Sequence, residues 1–200
     1  VELPGRIAYI GSDFNVYVME LHSENLTALT DDGDSPTRRY TWPTWSETGE
    51  LAFFCCEGLV GAEVYMVQAE SSESELVYTG EGEAFTYANW SPRQCQSGEN
   101  CRDLAVLLNQ VRASQFDVRL IRNGVEDSPD TVVNTSAPFY FSWNPEGNQL
   151  LNFRNDSVLE IYDVISEQAD IIEAEPGVFQ APEWSPVDDR LLVGVLGEDD

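Results

Sequence analysis

The chain has 200 residues, of which 42% are apolar and 11% aromatic, so it can bury a substantial core and is expected to fold as a globular module. Its 10 basic residues are all arginine and stand against 36 acidic residues, a formal charge of −26 that argues against nucleic acid and anionic membranes as partners, because only Arg38 and Arg39 are clustered. No stretch approaches the roughly 18–20 apolar residues of a spanning helix, so we expect no membrane insertion by this segment.

The first predicted elements are three short strands at residues 7–10, 16–18 and 26–30. Each is rich in β-branched, aromatic or other apolar residues, and Gly, Asp, Ser or Asn separates it from the next. The run Asp-Asp-Gly-Asp-Ser-Pro at 31–36 then predicts a turn. This part has the pattern of a four-stranded unit without its first strand.

A Trp followed by Ser or Asn recurs four times further along the chain, at intervals of 45, 53 and 41 residues, as Trp45, Trp90, Trp143 and Trp184. A turn and an apolar strand follow each Trp, and two more strands follow in the first three copies. The predicted strands are 51–54, 64–67 and 75–78, then 104–108, 118–121 and 131–134, then 150–153, 161–164 and 170–173, and finally 191–193. No segment shows sustained helical periodicity.

The second copy contains an insertion with two of the four cysteines. Fourteen residues separate Trp90 from its strand, against six or seven in the other copies, and the extra residues include Cys95 and Cys101. A disulfide could close this polar loop without moving a strand. Cys55 and Cys56 are adjacent within an apolar run, which favours two small buried side chains, with a disulfide between neighbours as the alternative. These pairs favour an oxidising compartment: periplasmic, cell-surface or secreted.

The repeat predicts the fold class. Four strands per roughly 40–45 residues is the period of a β-propeller blade, whereas a β-sandwich would not repeat one Trp signature at that spacing. We therefore expect an all-β propeller of four-stranded antiparallel blades, with about four blades' worth in a single domain or fragment, 1–200, of a larger propeller. The expected blades are 38–82, 83–136 and 137–177, with partial blades at 6–37 and 178–200.

The repeat resembles that of TolB-like propellers. Arg-Ile-Ala-Tyr at 6–9, Asn-Val-Tyr-Val-Met at 15–19 and Ala-Leu-Thr at 28–30 match it closely, and the four Trp copies match its Trp-Ser-Pro-Asp-Gly turn in part. No copy keeps the complete turn, so the resemblance implies the fold and not one member's function. In such repeats the Trp is a packing element, which implies structural roles for Trp45, Trp90, Trp143 and Trp184. Trp42 lies outside the pattern and is a possible binding aromatic.

Motifs for catalysis are missing from the sequence. It has no Gly-x-Ser-x-Gly motif and no phosphate-binding Gly-rich loop, and its single histidine, His22, fits a solvated turn. We therefore predict no catalytic residue and no cofactor. Asp31, Asp32 and Asp34 offer oxygen ligands for calcium, but they lack the spacing of a complete loop, so a solvated turn is the preferred interpretation.

Three functions fit these features. The first is a noncatalytic, exported propeller that binds a protein or peptide as a scaffold. The second is the gating propeller of a prolyl-oligopeptidase-like serine peptidase, which carries related repeats beside a hydrolase domain. The third is a carbohydrate-binding or lyase propeller. We prefer the first, because the sequence shows repeats and no catalytic motif.

Overall fold

The chain was analysed as a computed structural model, which describes residues 5–56, 61–69, 71–94, 102–113, 115–122, 131–134, 138–154, 158–173, 176–177, 181–188 and 190–195. It divides into two compact units, Val1–Phe85 and Thr86–Asp200. Within the described part there are seventeen strands, and every strand pairing is antiparallel. No helix in these ranges is long and apolar enough to cross a membrane.

The first unit contains two sheets. Strands β1, β2 and β3 form a three-stranded sheet, and β4 to β7 form a four-stranded sheet in chain order. Their bounds are β1 Arg6–Ile10, β2 Val16–Glu20, β3 Leu26–Ala28, β4 Tyr40–Trp45, β5 Leu51–Cys55, β6 Ala62–Val67 and β7 Ser74–Gly80. The two sheets share one core, in which Val16 of the first sheet packs with Leu51 and Phe53 of the second. Ala8, Ile10 and Val18 cover this core from the β1–β3 side.

The second unit repeats the arrangement. Strand β8 begins at the end of the first unit and forms a sheet with β9, β10 and β11, and β12 to β15 form the next sheet. Their bounds are β8 Glu83–Gln94, β9 Arg102–Gln110, β10 Gln115–Ile121, β11 Thr131–Asn134, β12 Pro138–Trp143, β13 Gln149–Arg154, β14 Val158–Asp163 and β15 Gln168–Ile172, followed by the hairpin β16 Glu183–Trp184 and β17 Leu191–Leu192.

Alternation along β13 explains how successive sheets of the second unit pack face to face. Leu150 points into a core shared with Leu107 and Leu120 of the β8–β11 sheet. Leu151 points the other way, into a core that contains Trp184 of the β16–β17 hairpin. Because neighbouring strand residues face opposite sides, one strand supplies apolar side chains to two cores.

The residue after each repeated Trp accepts backbone hydrogen bonds with its side-chain oxygen, in a turn after Trp45, Trp143 and Trp184 and within β8 after Trp90. Ser46, Ser91 and Ser185 each accept a hydrogen bond from the backbone N–H two residues later, at 3.2, 3.1 and 3.4 Å. Asn144 does the same over a longer span, accepting from the N–H groups of Asn148 and Gln149, both at 3.0 Å. A hydroxyl or amide oxygen at this position therefore satisfies backbone donors that the turn leaves unpaired.

Several strand bounds differ from those predicted, among them the ends of β3 and β8 and the start of β14. Strand β3 ends at Ala28 rather than residue 30, because Thr30 instead uses its hydroxyl to accept the N–H of Val16 at 2.9 Å. Strand β8 continues through Trp90 to Gln94, so this copy has no turn directly after its Trp. Strand β14 begins at Val158 rather than residue 161, because Glu160, which interrupts the apolar run, is buried beside Arg154 with Oε2 and Nε 3.3 Å apart.

A buried asparagine in β13 gives the first prediction. Asn152 is fully buried, and neither its amide nitrogen nor its oxygen has a hydrogen-bond partner among the described residues. Burial of an unpaired amide is unfavourable, so we expect Asn152→Leu, which keeps the branching of the side chain, to raise the free energy of unfolding by about 1–2 kcal/mol. Urea denaturation followed by tryptophan fluorescence measures this change.

The matched control is Asn144, which is also buried. Its amide nitrogen donates to the Asn148 side chain, and its amide oxygen accepts from two backbone N–H groups. Asn144→Leu leaves the N–H groups of Asn148 and Gln149 without an acceptor, so we expect it to lower the free energy of unfolding by about 2 kcal/mol. Shifts of the same sign in the two variants would contradict this account.

Candidate binding site

The loop before β4 is anchored to the turn between β1 and β2. The side-chain oxygen of buried Asn15 accepts the N–H of Gly33 at 2.7 Å and the hydroxyl of Thr30 at 3.0 Å. A Cβ atom on Gly33 would lie 2.8 Å from the Asn15 oxygen and 2.8 Å from the Asp13 carbonyl, so only glycine allows this approach. The contact fixes where the chain enters β4.

Arg38 holds together the start of β4 and the start of β6. Its Nε lies 2.7 Å from Asp32 Oδ2, and its Nη2 lies 2.9 Å from Glu63 Oε2 and also donates to the Tyr65 hydroxyl. Tyr40 donates to the other Asp32 oxygen at 2.8 Å, and Tyr65 donates to Glu63 at 2.7 Å. We call Asp32, Arg38, Tyr40, Glu63 and Tyr65 the Arg38 cluster.

Electrostatics inside the Arg38 cluster favour its ion pairs. Burial raises the pKa of the Tyr65 phenol, and the hydrogen bond to Glu63 raises it further. Burial alone would lower the pKa of Arg38, but the hydrogen bond to Tyr40 and the charge of Glu63 outweigh it, so the pKa is raised. The raised pKa values of Arg38, Tyr40 and Tyr65 therefore favour a charged arginine and neutral tyrosines in the cluster at neutral pH.

Arg39, the next residue, has different surroundings. Its guanidinium lies over the Phe14 ring, 4.9 Å from the centroid. Its Nε donates to Ser35 Oγ at 3.1 Å, and its Nη2 donates to the same oxygen. Within the described ranges no carboxylate pairs with it, although the chain carries 36 acidic residues.

Arg39 is part of the wall of an open cleft of about 480 Å³. We call it the β4 cleft; its lining residues are Phe14, Pro36, Thr37, Arg39, Tyr40, Thr41 and Cys56. The lining combines one cation, aromatic and aliphatic surface, and two threonine hydroxyls. This volume is within the range of about 300–1,000 Å³ that is usual for ligand sites.

The sulfur in the cleft wall belongs to a disulfide between neighbours. Cys55 and Cys56 are bonded to each other, which overturns the preferred interpretation of two separate small side chains and selects the alternative. Cys56 has a positive φ of 70° and directly follows the end of β5. The two sulfurs and the Glu63 carboxylate lie within 4.8 Å of one another, but sulfurs bonded to each other are not thiolate ligands for a metal.

Trp42 lies immediately after the cleft residues on β4, at a β-bulge. Thr41 pairs with Phe54 and Thr44 with Ala52, so Trp42 and Pro43 together oppose a single residue of β5. Trp42 has a φ of 52°, and 50% of its surface is exposed. Its ring contacts that of Phe85, with centroids 6.0 Å apart. A bulge of this kind re-aims a side chain, here a half-exposed indole on the strand that also carries Tyr40 and Thr41.

The predicted structural tryptophans lie in different surroundings. Trp184 is buried, and Trp90 is half-buried within β8. Trp143 donates from Nε1 to the Asn89 carbonyl of β8 at 3.1 Å, a contact between neighbouring sheets of the second unit. Trp45 lies under the Arg6 guanidinium, 4.7 Å from the ring centroid. Their purely structural role stays a prediction.

The predicted calcium ligands are not brought together around one point. Both Asp32 oxygens are engaged by Arg38 and Tyr40. Asp34 accepts from the Thr37 hydroxyl at 3.4 Å, and Asp31 is exposed. Calcium binding there stays a prediction, as does the disulfide between Cys95 and Cys101, which lie outside the described residues.

No protein-family model matches the chain, and no curated protein matches it. Several solved structures are similar to the chain. One is a chain from a structural and mechanistic study of two prolyl endopeptidases, with 19% identity and a TM-score of 0.52 over 86% of this chain and 28% of that chain. Another is the β-propeller domain of Cps50 (Swd1) from Myceliophteria thermophila, with 15% identity and a TM-score of 0.59 over 95% of this chain and 58% of that chain. A third is an oligogalacturonate lyase in complex with manganese, with 16% identity and a TM-score of 0.57 over 90% and 50%.

These similarities establish the class of protein. The chain has the β-propeller fold with four-stranded antiparallel sheets, as the Trp repeat predicted. It spans between 28% and 58% of the length of these three solved chains. Because these include two enzymes as well as a propeller domain, the similarity does not choose among the three predicted functions, and the TolB-like repeat type stays a prediction.

Two parts of the site were missed by sequence reasoning. The sequence indicates Arg38 and Arg39 only as a basic pair relevant to nucleic-acid binding, and no sequence pattern distinguishes Phe14. The adjacency of Cys55 and Cys56 was a usable signal for a disulfide. Neighbouring cysteines can be joined where one of them departs from extended backbone, as Cys56 does with its positive φ. The different environments of the two arginines had no signal in the sequence.

Proposed function

We propose that this chain is a noncatalytic, TolB-like β-propeller module that binds a protein or peptide at the β4 cleft, with Trp42 as an additional contact. The observation that carries the proposal is the guanidinium of Arg39 in an open, partly apolar cleft, where it pairs with no carboxylate of the described residues; the exposed Trp42 follows two lining residues, Tyr40 and Thr41, on the same strand. Tryptophan and arginine are the residue types that most often dominate the energy of protein interfaces.

Rigidity of the site supports the same proposal. The Arg38 cluster fixes Tyr40, the contact of Gly33 with Asn15 fixes the loop before β4, and the disulfide fixes Cys56. A prearranged surface loses less conformational entropy when a partner binds. We also propose export to the periplasm, the cell surface or the medium, because a disulfide is stable in an oxidising compartment.

Photocrosslinking tests the proposed function. A benzoylphenylalanine at Thr37, on the cleft wall, is expected to give a peptide or protein adduct of discrete mass in extracts of the source cells. The same residue at Ile171, which is exposed in the second unit, serves as the control and is expected to give none. Trp42→Ala is expected to reduce the Thr37 adduct by about tenfold, the effect of losing a dominant interface residue.

Two results would contradict the proposal. One is equal adducts from Thr37 and Ile171, which would indicate nonspecific capture. The other is no adduct from Thr37, or an adduct that is unchanged by Trp42→Ala.

A further inference from the structure

We infer that Arg39 is the carboxylate-binding group of the β4 cleft, and that the bound segment presents a single carboxylate beside an apolar side chain. This inference rests on the proposed function and specifies the chemistry of the partner.

Arg38 and Arg39 are adjacent in the chain but have different surroundings. Arg38 is surrounded by Asp32 and Glu63 and is fully engaged with its own chain. Among the residues that the structure describes, Arg39 contacts a hydroxyl and an aromatic ring and pairs with no carboxylate. In a chain with 36 acidic residues and 10 basic ones, an arginine held in a cleft without a carboxylate is available to one from outside.

The guanidinium of Arg39 is held in a fixed orientation. Phe14 supports one face of the guanidinium, and Ser35 Oγ accepts from Nε and Nη2, which fixes the plane of the group. In the part of the chain that the structure describes, Nη1 makes no hydrogen bond or ion pair. The outer edge formed by Nη1 and Nη2 is therefore free to donate two parallel hydrogen bonds to a carboxylate.

The rest of the cleft determines what accompanies the carboxylate. Phe14, Pro36 and Cys56 supply apolar surface. The hydroxyls of Thr37 and Thr41 lie in the same wall, and the Thr37 oxygen, whose hydrogen is donated to Asp34 at 3.4 Å, can still accept from a peptide N–H. An apolar side chain next to the bound carboxylate would bury this surface, which favours binding in proportion to the area removed from water.

The charge of the whole chain limits the partner to a small number of acidic groups. With a formal charge of −26, the chain repels an acidic run at long range, whereas the contact at Arg39 acts only at short range. A segment with one carboxylate can form the contact with Arg39 and is repelled less by the acidic chain than a segment with several carboxylates.

Three synthetic peptide libraries test the inference against the full chain. The first contains amide-capped pentapeptides with a central Glu and random Ala, Val, Leu and Phe around it. The second has Gln in place of Glu, and the third has Gln with a free terminal carboxylate. We expect the chain to retain the first or the third library, which identifies the carboxylate as side-chain or terminal, and to retain the second about tenfold less.

Variants of two exposed arginines provide the matched comparison. Arg39→Gln is expected to abolish the preference for carboxylate, and Arg39→Lys to keep only part of it, because lysine lacks the planar fork. Arg112→Gln makes the same change in charge on the turn after β9 and is expected to bind like the unmodified chain.

Failure of this inference can be told apart from failure of the proposed function. Equal retention of the three libraries, retention of none, or equal behaviour of Arg39→Gln and Arg112→Gln would overturn the inference. If the Thr37 adduct still forms and still depends on Trp42, the proposed function stands and the partner has different chemistry.

Discussion

Replacing Gly147 with alanine is expected to lower the free energy of unfolding by about 3 kcal/mol or more. Gly147 ends the turn after Trp143 with a φ of 65°, where residues with a side chain are strained. A Cβ there would also lie 2.6 Å from the backbone nitrogen of Arg93 and 2.6 Å from Ser91 Oγ. The turn of one sheet thus lies directly against β8 of the neighbouring sheet, and alanine would force the two apart. Denaturation in urea measures the loss.

Gly82→Ala separates the two causes. Gly82 has a similar φ of 70°, but no atom lies within 4 Å of the position that a Cβ would take. Only backbone strain acts there, so we expect a loss of about 1 kcal/mol. If the two variants lose the same free energy, the close approach to β8 is not important for stability.

Replacing Arg38 with glutamine is expected to lower the free energy of unfolding by about 2–4 kcal/mol, because the Glu63 carboxylate, whose side chain is only 18% exposed, loses its cation. The value is smaller than for a completely buried pair, since 27% of the Arg38 side chain is exposed and solvent screens part of the interaction. Tyr40 and Tyr65 would also lose the group that joins them.

Arg39→Gln is the matched control, since it removes the same charge one residue later. Arg39 is exposed and has no carboxylate partner in the described part of the chain, so we expect its loss to change stability by less than about 0.5 kcal/mol. The double variant Arg38→Met with Glu63→Met removes both charges and is expected to regain much of the lost stability. Equal losses for Arg38→Gln and Arg39→Gln would show that the Arg38 cluster does not stabilise the fold.

These expectations assign different tasks to two neighbouring residues. If the proposed function holds, Arg38 acts on binding only through the fold, because its cluster holds Tyr40 in the wall of the β4 cleft. Arg39 is then expected to act on binding and to contribute little to folding. A variant that lowers affinity and leaves stability unchanged therefore reports on the partner and not on the scaffold.

The repeat could be read from the sequence because it depends on local patterns. Alternating apolar residues, the Trp spacing and the side-chain oxygen after each Trp follow from strand geometry and turn chemistry. Where a strand bound was wrong, a tertiary contact had replaced a local preference. Glu160 interrupts an apolar run, yet it lies inside β14 because Arg154 on the neighbouring strand compensates its charge.

The sequence by itself determined that this chain is an all-β repeat protein with a strongly acidic surface, because both properties are sums over local residues. Only the tertiary structure decided that Arg38 is held in ion pairs and that Arg39 has no carboxylate partner in the described part of the chain. The difference depends on Glu63 and Asp32, which reach Arg38 from other elements. The tertiary structure likewise decided that Cys55 and Cys56 are joined, and that Phe14, Arg39 and Cys56 line one cleft. Contacts between residues far apart in the chain have no local pattern from which they could be predicted.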